Sequence, residues 1–293
     1  MPTLKEIKAR IGSVQSTLKI TSAMKLVSSA KLRKAQNAIE AMRPYEQALR
    51  RILAAIQPAA SENPGVSPDG MVRSAEEGVP APRVIVALAS NSSLCGGFNA
   101  NAIAKVREVR QPGDLVISIG RKMAEAMRRD GFPSPADYTA LADHPSYAPA
   151  ARLVEQLSEE LAAGRIGRVL LVYNHFVSAA RQVPVVETLL GEDVGAAEDA
   201  WHMPSADGDE DIILEPGRQE LLEALEPKLL KLKLFTALLD NAAAEHAART
   251  VAMQTATDNA ENLLSELTLQ YNKGRQQKIT SEILDLAGGQ IEA

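Results

Sequence analysis

The chain is poor in cysteine and aromatic residues, and it has no long apolar run. Cys95 is the only cysteine among 293 residues, which excludes an internal disulfide and is typical of a reducing compartment. Aromatic residues make up 3% of the chain, which favours a helical protein over an all-β fold. No stretch of 18 apolar residues occurs, so the sequence predicts no membrane-spanning helix. The first residues show no signal-peptide core, and we expect a cytosol-facing protein.

Glycine and proline are also missing from one long stretch, residues 228–273. In and just before it, apolar or small residues recur at alternating steps of four and three, the spacing of a coiled-coil seam. The seam consists of Leu225, Leu229, Leu232, Thr236, Leu239, Ala243, His246, Thr250, Met253, Thr257, Ala260, Leu264, Leu267 and Tyr271. Because a helix of this length needs a partner, a second long helix is expected.

The amino end of the chain supplies that partner. The same alternating spacing places Leu4, Ile7, Ile11, Val14 and Leu18 on one face. Thr3 and Glu6 form a capping-box signature at the start of this helix. After Leu18 the seam is less apolar, so either its register shifts or this face meets something other than the partner helix. The two ends are predicted to pair antiparallel.

The middle of the chain alternates apolar runs with helix-compatible stretches. Arg83–Ser90, Asp114–Gly120 and Arg168–Phe176 read as buried strands, and this alternation predicts a parallel sheet covered on both faces. Gln182–Leu190 reads as an edge strand, because Pro184 cannot donate a ladder hydrogen bond. The predicted fold is α/β: an antiparallel coiled coil of the N- and C-terminal helices with an inserted Rossmann-like α/β domain.

Two segments read as connections. Residues 58–82 are rich in Pro, Gly and Ser and are interpreted as a linker, and 191–211 form an acidic loop around Trp201, His202 and Met203. Ile212–Leu214 could add one short strand. The predicted domains are an N-terminal coiled-coil helix at 1–57, the linker, the α/β domain at 83–214 and a C-terminal coiled-coil helix at 215–293.

Charge is distributed unevenly along the chain. Residues 1–57 hold 11 Lys and Arg against 3 Glu, a net charge of +8, and the whole chain carries −5, so the remainder carries −13. This basic helix face is either solvated and paired with acidic groups of the same chain, or it meets an acidic protein partner. Nucleic acid is disfavoured, because no aromatic side chains are interleaved for stacking.

One turn lies where α/β proteins cradle phosphates. Residues 93–99, SLCGGFN, follow a strand and precede a helix. They lack both the P-loop pattern and the G-x-G-x-x-G spacing, so a structural turn is favoured over a nucleotide or anion site. Cys95 could be a nucleophile at a helix start, but no histidine lies nearby in sequence to act as its base. A packed, buried thiol is the favoured interpretation.

Other polar groups indicate surfaces and no active site. His144, His175, His202 and His246 show no metal-ligand spacing, and His246 falls on the seam. The cluster Asp258, Asn259, Glu261 and Asn262 reads as a solvated helix face. Residues 275–278, RQQK, could latch onto a neighbour's loop through charge-assisted hydrogen bonds. We expect no catalytic residue, no cofactor and no metal ion.

Three dispersed segments resemble one known family, the γ subunit of F-type ATP synthases. They are LKEIKARIGSVQSTLKITSAMKLVSSAKLRKAQ near the start, the SLCGGFN turn, and EHAARTVAMQTATDNAENLLSELTLQYNKGRQQKITSEILDLAGG near the end. The lead-in to the turn is Asn91-Ser92-Ser93, where the family usually has Asp-Lys-Gly. Residues 57–82 and the acidic segment near Trp201 match no family motif, and one cysteine cannot form the thiol switch of chloroplast relatives.

The resemblance implies a central rotor shaft with no catalytic group of its own. It implies coupling of ion flow through the membrane c-ring to conformational cycling of the catalytic β subunits. The implied partners are the α and β subunits, the ε subunit and the c-ring, at the cytoplasmic face of a bacterial plasma membrane. The implied partner contacts form two sets: Met24, Lys25 and Met253, and Arg275, Gln276, Thr280 and Glu282.

Two other classes of protein remain as alternatives. A scaffold or tethering coiled coil would explain both heptad segments but not an inserted α/β domain, and it predicts self-association. An α/β enzyme that uses Cys95 predicts that alkylation of this thiol abolishes an activity of the purified chain.

Overall fold

The computed structural model describes residues 3–56, 81–191, 215 and 217–289. Along the chain, a small α/β domain lies between two long helices. The elements are α1 (Leu4–Ile56), β1 (Arg83–Leu88), α2 (Phe98–Val109), β2 (Leu115–Ile119), α3 (Arg121–Arg129), α4 (Thr139–Asp143), α5 (Tyr147–Ala162), β3 (Arg168–Ser178), β4 (Arg181–Leu190) and α6 (Arg218–Gly289).

The four strands form one sheet in the order β2-β1-β3-β4. β1 pairs in parallel with both β2 and β3. Because β1 lies centrally, the chain passes to one side of it through α2 and to the other through α3, α4 and α5. This change of direction at β1 is the arrangement of Rossmann-like domains.

The prediction of a parallel sheet is wrong for β4, which runs antiparallel to β3. Only Ala179 and Ala180 separate the two strands, and a parallel neighbour would need a crossover of a dozen or more residues. The edge position of β4 is confirmed. Pro184 lies opposite Asn174, whose N–H points away from β4 to Asn241. Pro184 therefore lacks its N–H on the open side of the sheet, where no strand needs it.

Helices cover both faces of the sheet, as predicted. On one face, alternate residues of β1 pack with α2 and α3, with Ala102 and Met123 fully buried. On the other face, α5 and the part of α6 around Leu234 and Leu238 complete the core. The C-terminal helix therefore contributes side chains to the α/β domain core. The short helix α4 was not anticipated from the sequence.

The predicted capping box is confirmed at the start of α1. The Thr3 N–H donates to Glu6 Oε2 at 2.8 Å, and the Glu6 N–H donates to Thr3 Oγ1 at 3.3 Å. These reciprocal bonds satisfy two donors that the first helical turn leaves without partners.

The described residues divide into two compact units. The first, here called the terminal pair, consists of the described residues in Met1–Ala30 and Arg249–Ala293; the second is Lys31–Ala248. In the terminal pair α1 and α6 run antiparallel: Leu4 lies beside Gly274, Thr21 beside Thr257 and Lys25 beside Gln254. In the second unit, Leu49 and Leu53 of α1 pack on Leu232 of α6.

The seam of α1 keeps its register beyond Leu18 and still meets α6 there, so both expected alternatives, a register shift and a contact other than the partner helix, are wrong. The alternating spacing continues through Thr21 and Ser28, which are both buried. The polar side chain of Thr21 can occupy a seam position because Thr257 supplies a hydroxyl opposite it, at 2.9 Å. On α6 each predicted seam residue is buried or half-buried.

Several predictions concern residues outside the described part of the chain. They are the linker interpretation of 58–80, the acidic loop with Trp201, His202 and Met203 beyond residue 191, and the short strand Ile212–Leu214. The domain boundaries at residues 57, 82 and 214 stay predictions.

Candidate functional site

The turn after β1 is a packed structural element. Cys95 is 1% exposed, which confirms the predicted buried thiol. Asn99 Nδ2 donates to its Sγ at 3.2 Å, and Asn99 Oδ1 accepts the Ser90 N–H at 3.0 Å. At the start of the turn, Arg121 of α3 donates to the Asn91 carbonyl at 2.7 Å. These contacts hold the turn from both sides.

The turn also packs against α6. Cys95 and Phe98 pack against Ala244 and Ala248 of that helix, with Phe176 beside them. Because a buried thiol cannot reach a substrate, this packing favours the structural interpretation of the turn over a nucleotide site or a cysteine nucleophile.

α6 also supplies hydrogen-bond acceptors to the end of β3. β1 pairs with β3 only as far as Val172, so the following N–H groups of β3 lack a strand neighbour on that side. The Asn174 N–H donates to Asn241 Oδ1 at 3.2 Å, and the Phe176 N–H donates to Asp240 Oδ1 at 3.1 Å. Asp240 and Asn241 thus replace a missing strand and fix α6 to the sheet.

Two titratable groups beside this anchor have shifted pKa values. The hydrogen bond from His175 Nδ1 to Asp240 Oδ2, at 2.5 Å, raises the pKa of His175 above its usual range. Burial, with the nearby Glu187 carboxylate, raises the pKa of Tyr173. Tyr173 therefore stays a neutral phenol that donates to Glu187 at 2.8 Å.

The first set of predicted contact residues meets in the terminal pair. Lys25 Nζ donates to Gln254 Oε1 at 2.8 Å, next to Met253, which is 5% exposed. Met24 and Lys25 are half-buried. The structure therefore places Lys25 against Gln254 of the other helix, with Met24 and Met253 as the adjacent residues in sequence.

The second set lies elsewhere on α6. Arg275, Gln276, Thr280 and Glu282 are exposed, and they begin about 33 Å along the helix from Met253 at 1.5 Å per residue. Thr280 Oγ1 donates to the Gln276 carbonyl at 2.9 Å, and Glu282 lies 3.7 Å from Lys278. The structure does not bring the two sets together.

The same end of α6 carries exposed apolar side chains. In the described residues, α1 begins at Leu4, which lies beside Gly274 of α6. The part of α6 beyond this point, residues 275–289, is called the α6 overhang. On this overhang Ile279, Ile283 and Leu284 are 47%, 60% and 65% exposed. Large exposed apolar groups close together mark an interaction surface. The sequence analysis did not identify them, although Ile279 and Ile283 stand at helical i, i+4 spacing.

Asp240, Asn241 and the hydroxyl pair Thr21–Thr257 were also missed. Asp240-Asn241 is a polar pair inside the apolar run LFTALLDNAAA. Such a pair within a buried helix face indicates a polar partner, and this was the available signal. His175 was considered only as a metal ligand.

No group of three or more His, Cys, Asp or Glu side chains within the described ranges is placed to hold a metal ion. In the same part of the chain, no helix is both long and apolar enough to cross a bilayer. His144 is exposed at the end of α4, whereas His246 is half-buried on the α6 seam.

Comparisons with known proteins agree over almost the full length. A family model described as ATP synthase matches residues 3–291. The chain is 46% identical over 301 residues to the ATP synthase gamma chain of Phocaeicola vulgatus, covering 99% of this chain and 100% of the relative. It is 38% identical over 298 residues to that of Flavobacterium johnsoniae, covering 99% and 98%.

Solved structures share the fold at lower identity. A chain of the Euglena gracilis mitochondrial ATP synthase, from a structure of OSCP, F1 and the c-ring, superposes with a TM-score of 0.64 at 20% identity. That match covers 98% of this chain and 93% of the other. A chain of the Tetrahymena thermophila central stalk and c-ring gives 0.55 at 21% identity, covering 81% and 99%.

Proposed function

Because this chain belongs to the family of ATP synthase γ chains, we propose that it is the central rotor shaft of a bacterial F-type ATP synthase. It couples ion flow through the membrane c-ring to the conformational cycle of the catalytic β subunits. It is a non-catalytic subunit of that complex.

The observation that carries this proposal is the terminal pair with its apolar overhang. The antiparallel pairing of α1 and α6 provides a double helix, and the exposed Ile279, Ile283 and Leu284 lie on α6 beyond Gly274, which is next to Leu4. Exposed apolar groups at a helix end require a partner that shields them from water. A ring of surrounding subunits would shield them at every angle of rotation.

The seam of the terminal pair suits a shaft that passes close to other subunits. Thr21, Ser28, Thr257 and Ala260 are small and buried, so the two helices can approach closely. A narrow, asymmetric shaft presents a different face to each of three catalytic subunits. It can therefore bias each subunit toward a different conformation and nucleotide affinity.

The basic side chains of α1 support an acidic protein partner. Lys5, Lys8, Arg10 and Lys19 are exposed in the terminal pair, where a neighbouring subunit could reach them. Contacts between exposed charges are individually weak, typically below about 1 kcal/mol. Weak contacts are suitable for a rotor, because each contact with a subunit must break as readily as it forms.

We place the transient contacts at the two predicted sets. Met24, Lys25 and Met253 form one contact area on the terminal pair, and Arg275, Gln276, Thr280 and Glu282 form another on the α6 overhang. The exposed guanidinium of Arg275 can donate two parallel hydrogen bonds to a carboxylate. Lys25 already donates a hydrogen bond to Gln254. A second cation at position 24 would therefore change the charge next to this hydrogen bond.

The remaining partners are the ε subunit and the c-ring, and this chain is a peripheral subunit at the membrane. We assign the chain to the cytoplasmic face of the bacterial plasma membrane, because the solved chains of similar fold come from structures that include F1 or a c-ring. Antibody binding to the chain in inverted membrane vesicles, but not in right-side-out vesicles, would support this face. The reverse pattern would contradict it.

The contact sets are tested by measuring coupling in inverted membrane vesicles. Met24→Lys and Arg275→Ala should each lower ATP-driven vesicle acidification relative to the ATPase rate of the same vesicles. The reason is that changing one charge-assisted contact, worth about 1 to 3 kcal/mol, alters barriers between rotary states more than it alters folding. Subunit content should stay normal.

Matched controls change the same charge elsewhere on the same helices. Gln15→Lys adds a cation at an exposed position of α1, and Lys273→Ala removes an exposed cation two residues before Arg275. Neither should change the coupling ratio. If Met24→Lys and Arg275→Ala leave the ratio at the control value, these residues do not tune coupling and the two contact sets must be withdrawn.

A further inference from the structure

A polar cavity of about 140 Å³ lies inside the second unit, between α1, the β3–β4 hairpin and α6. Four acidic side chains and three Arg or Lys side chains line it, with His175 beside them, so its charges are not all of one sign. At roughly 30 Å³ per molecule it has room for a few waters. The groups in its wall can therefore exchange protons with solvent.

One carboxylate in this wall holds two successive residues of β3. Asp240 Oδ1 accepts the Phe176 N–H at 3.1 Å, and Asp240 Oδ2 lies 2.5 Å from His175 Nδ1. Asp240 is mostly buried, whereas the His175 side chain is about one-third exposed. The contact fixes α6 to the part of β3 that extends beyond β1.

Charges from every neighbouring element face this contact. α1 contributes Glu40, Arg43, Glu46 and Arg50, and the buried Glu46 is paired with Arg50 at 2.8 Å. β4 contributes Glu187, and α6 contributes Lys233, which lies 3.5 Å from Glu187. His175 is the one histidine among the residues that line this cavity, and histidine is the side chain that ordinarily changes its charge near neutral pH.

We propose that the His175–Asp240 contact is a pH-sensitive latch between the C-terminal helix and the α/β domain. With a protonated imidazole, Asp240 has a cationic partner and keeps its hold on the Phe176 N–H. Loss of the Nε2 proton leaves a neutral ring that can still donate from Nδ1 but no longer balances the buried carboxylate. The grip of α6 on β3 then weakens.

The direction of the pH effect follows from the pKa of His175. The hydrogen bond and charge of Asp240 raise this pKa in the folded chain, and burial only partly opposes the rise. The latch therefore contributes its full stability below the ordinary histidine value of about 6.5. That contribution is lost as pH rises through the raised pKa. At alkaline pH the contact between α6 and β3 is therefore weaker.

Hydrogen exchange of the purified full chain tests the latch directly, because the Phe176 amide donates one of its hydrogen bonds, to Asp240. Protection factors, corrected for base-catalysed exchange, would be compared at about pH 6 and about pH 9. We expect protection of Phe176 to fall at the higher pH in the unsubstituted chain. Asp240→Asn and His175→Gln should both abolish this pH dependence while the rest of the sheet stays protected.

Lys231→Gln is the matched control. It removes another α6 ion pair, between Lys231 and Glu155 of α5 at 2.5 Å, which contains no histidine. Its Phe176 protection should depend on pH as in the unsubstituted chain. Equal protection at both pH values in the unsubstituted chain would overturn the proposal.

An NMR titration of the His175 ring keeps the proposal testable if the variants fold poorly. The pKa in the unsubstituted chain should lie above the ordinary histidine value of about 6.5. A pKa at or below that value would overturn the latch. Neither measurement uses ATPase activity, so the outcome is independent of the rotor function.

Discussion

At the scale of single residues, the most demanding position is Gly120, between β2 and α3. Its φ of 103° is one that residues with a side chain rarely adopt. A Cβ atom there would lie 2.2 Å from the Ala89 carbonyl oxygen. The end of β1 and the start of α3 therefore approach each other only because this residue has no side chain.

We expect Gly120→Ala to lower the free energy of unfolding by about 3 kcal/mol or more, from backbone strain together with a clash. Denaturant unfolding of the purified chain measures the change. Gly113→Ala is the control, because its φ is 93° but nothing lies within 4 Å of an added Cβ. It should cost only about 1 kcal/mol. Equal losses in the two variants would rule out the clash.

Cys95 is the second residue whose role can be tested alone. Cys95→Ser should leave ATP hydrolysis by the assembled complex close to normal, because a hydroxyl can accept the bond from Asn99 Nδ2 that the thiol accepts now. The measurement is the ATPase rate per assembled complex. Complete loss of hydrolysis with normal subunit content would instead favour a catalytic or nucleotide site in this turn.

At the scale of secondary structure elements, the terminal pair combines an apolar seam with a buried polar step. The Thr21 and Thr257 side chains are 8% and 6% exposed, and their oxygens lie 2.9 Å apart. Sliding one helix along the other would separate two buried hydroxyl groups, at a cost of about 1 to 3 kcal/mol. Polar seam residues can fix the register of paired helices in this way.

This register predicts a specific cross-link. In a Cys95→Ser background, Thr21→Cys combined with Thr257→Cys should form an intramolecular disulfide under mild oxidation, seen as a mobility shift that a reductant reverses. Ile20→Cys with Thr257→Cys is the control, because Ile20 is exposed and points away from the seam. Cross-linking of the control pair alone would contradict the antiparallel register.

Heptad spacing predicted the long helices and the α6 seam because the spacing is a local property of the sequence. Pro184 placed β4 at the edge for an equally local reason. The direction of β4 was mispredicted because the alternation of strands and helices outweighed the two-residue link between β3 and β4. The sequence does not identify Thr21 as a seam residue, because its partner Thr257 lies far away in the chain.

At the scale of the whole molecule, the charge asymmetry and the exposed apolar groups both indicate an assembly. Residues 1–57 carry +8 in a chain of net charge −5, and the α6 overhang exposes Ile279, Ile283 and Leu284. A chain with such surfaces is expected to function bound to other subunits.

We expect a tagged chain, purified from its native membranes in mild detergent, to bring down ATP synthase α, β and ε subunits and the c-ring. Mass spectrometry identifies the subunits, and membranes with an untagged chain serve as the control. Nuclease treatment should not change the set, because the basic face is assigned to protein. Recovery of the chain only with copies of itself would support a scaffold coiled coil instead.

The two long helices, their pairing face, the capping box, three of the four strand directions and the family could all be predicted from the sequence. All of these follow from local spacing, from residue chemistry, or from motifs that stand in the chain as written. The two contact sets were likewise read from motifs, and they stay predictions because their partners are other subunits.

Only the tertiary structure decided how α6 anchors on the sheet. His175 and Asp240 are separated by 65 positions, and nothing in the neighbourhood of either residue indicates the other. The same is true of Thr21 and Thr257, 236 positions apart. Hydrogen bonds between such distant residues depend on how the elements pack, and a local sequence pattern carries no information about that packing.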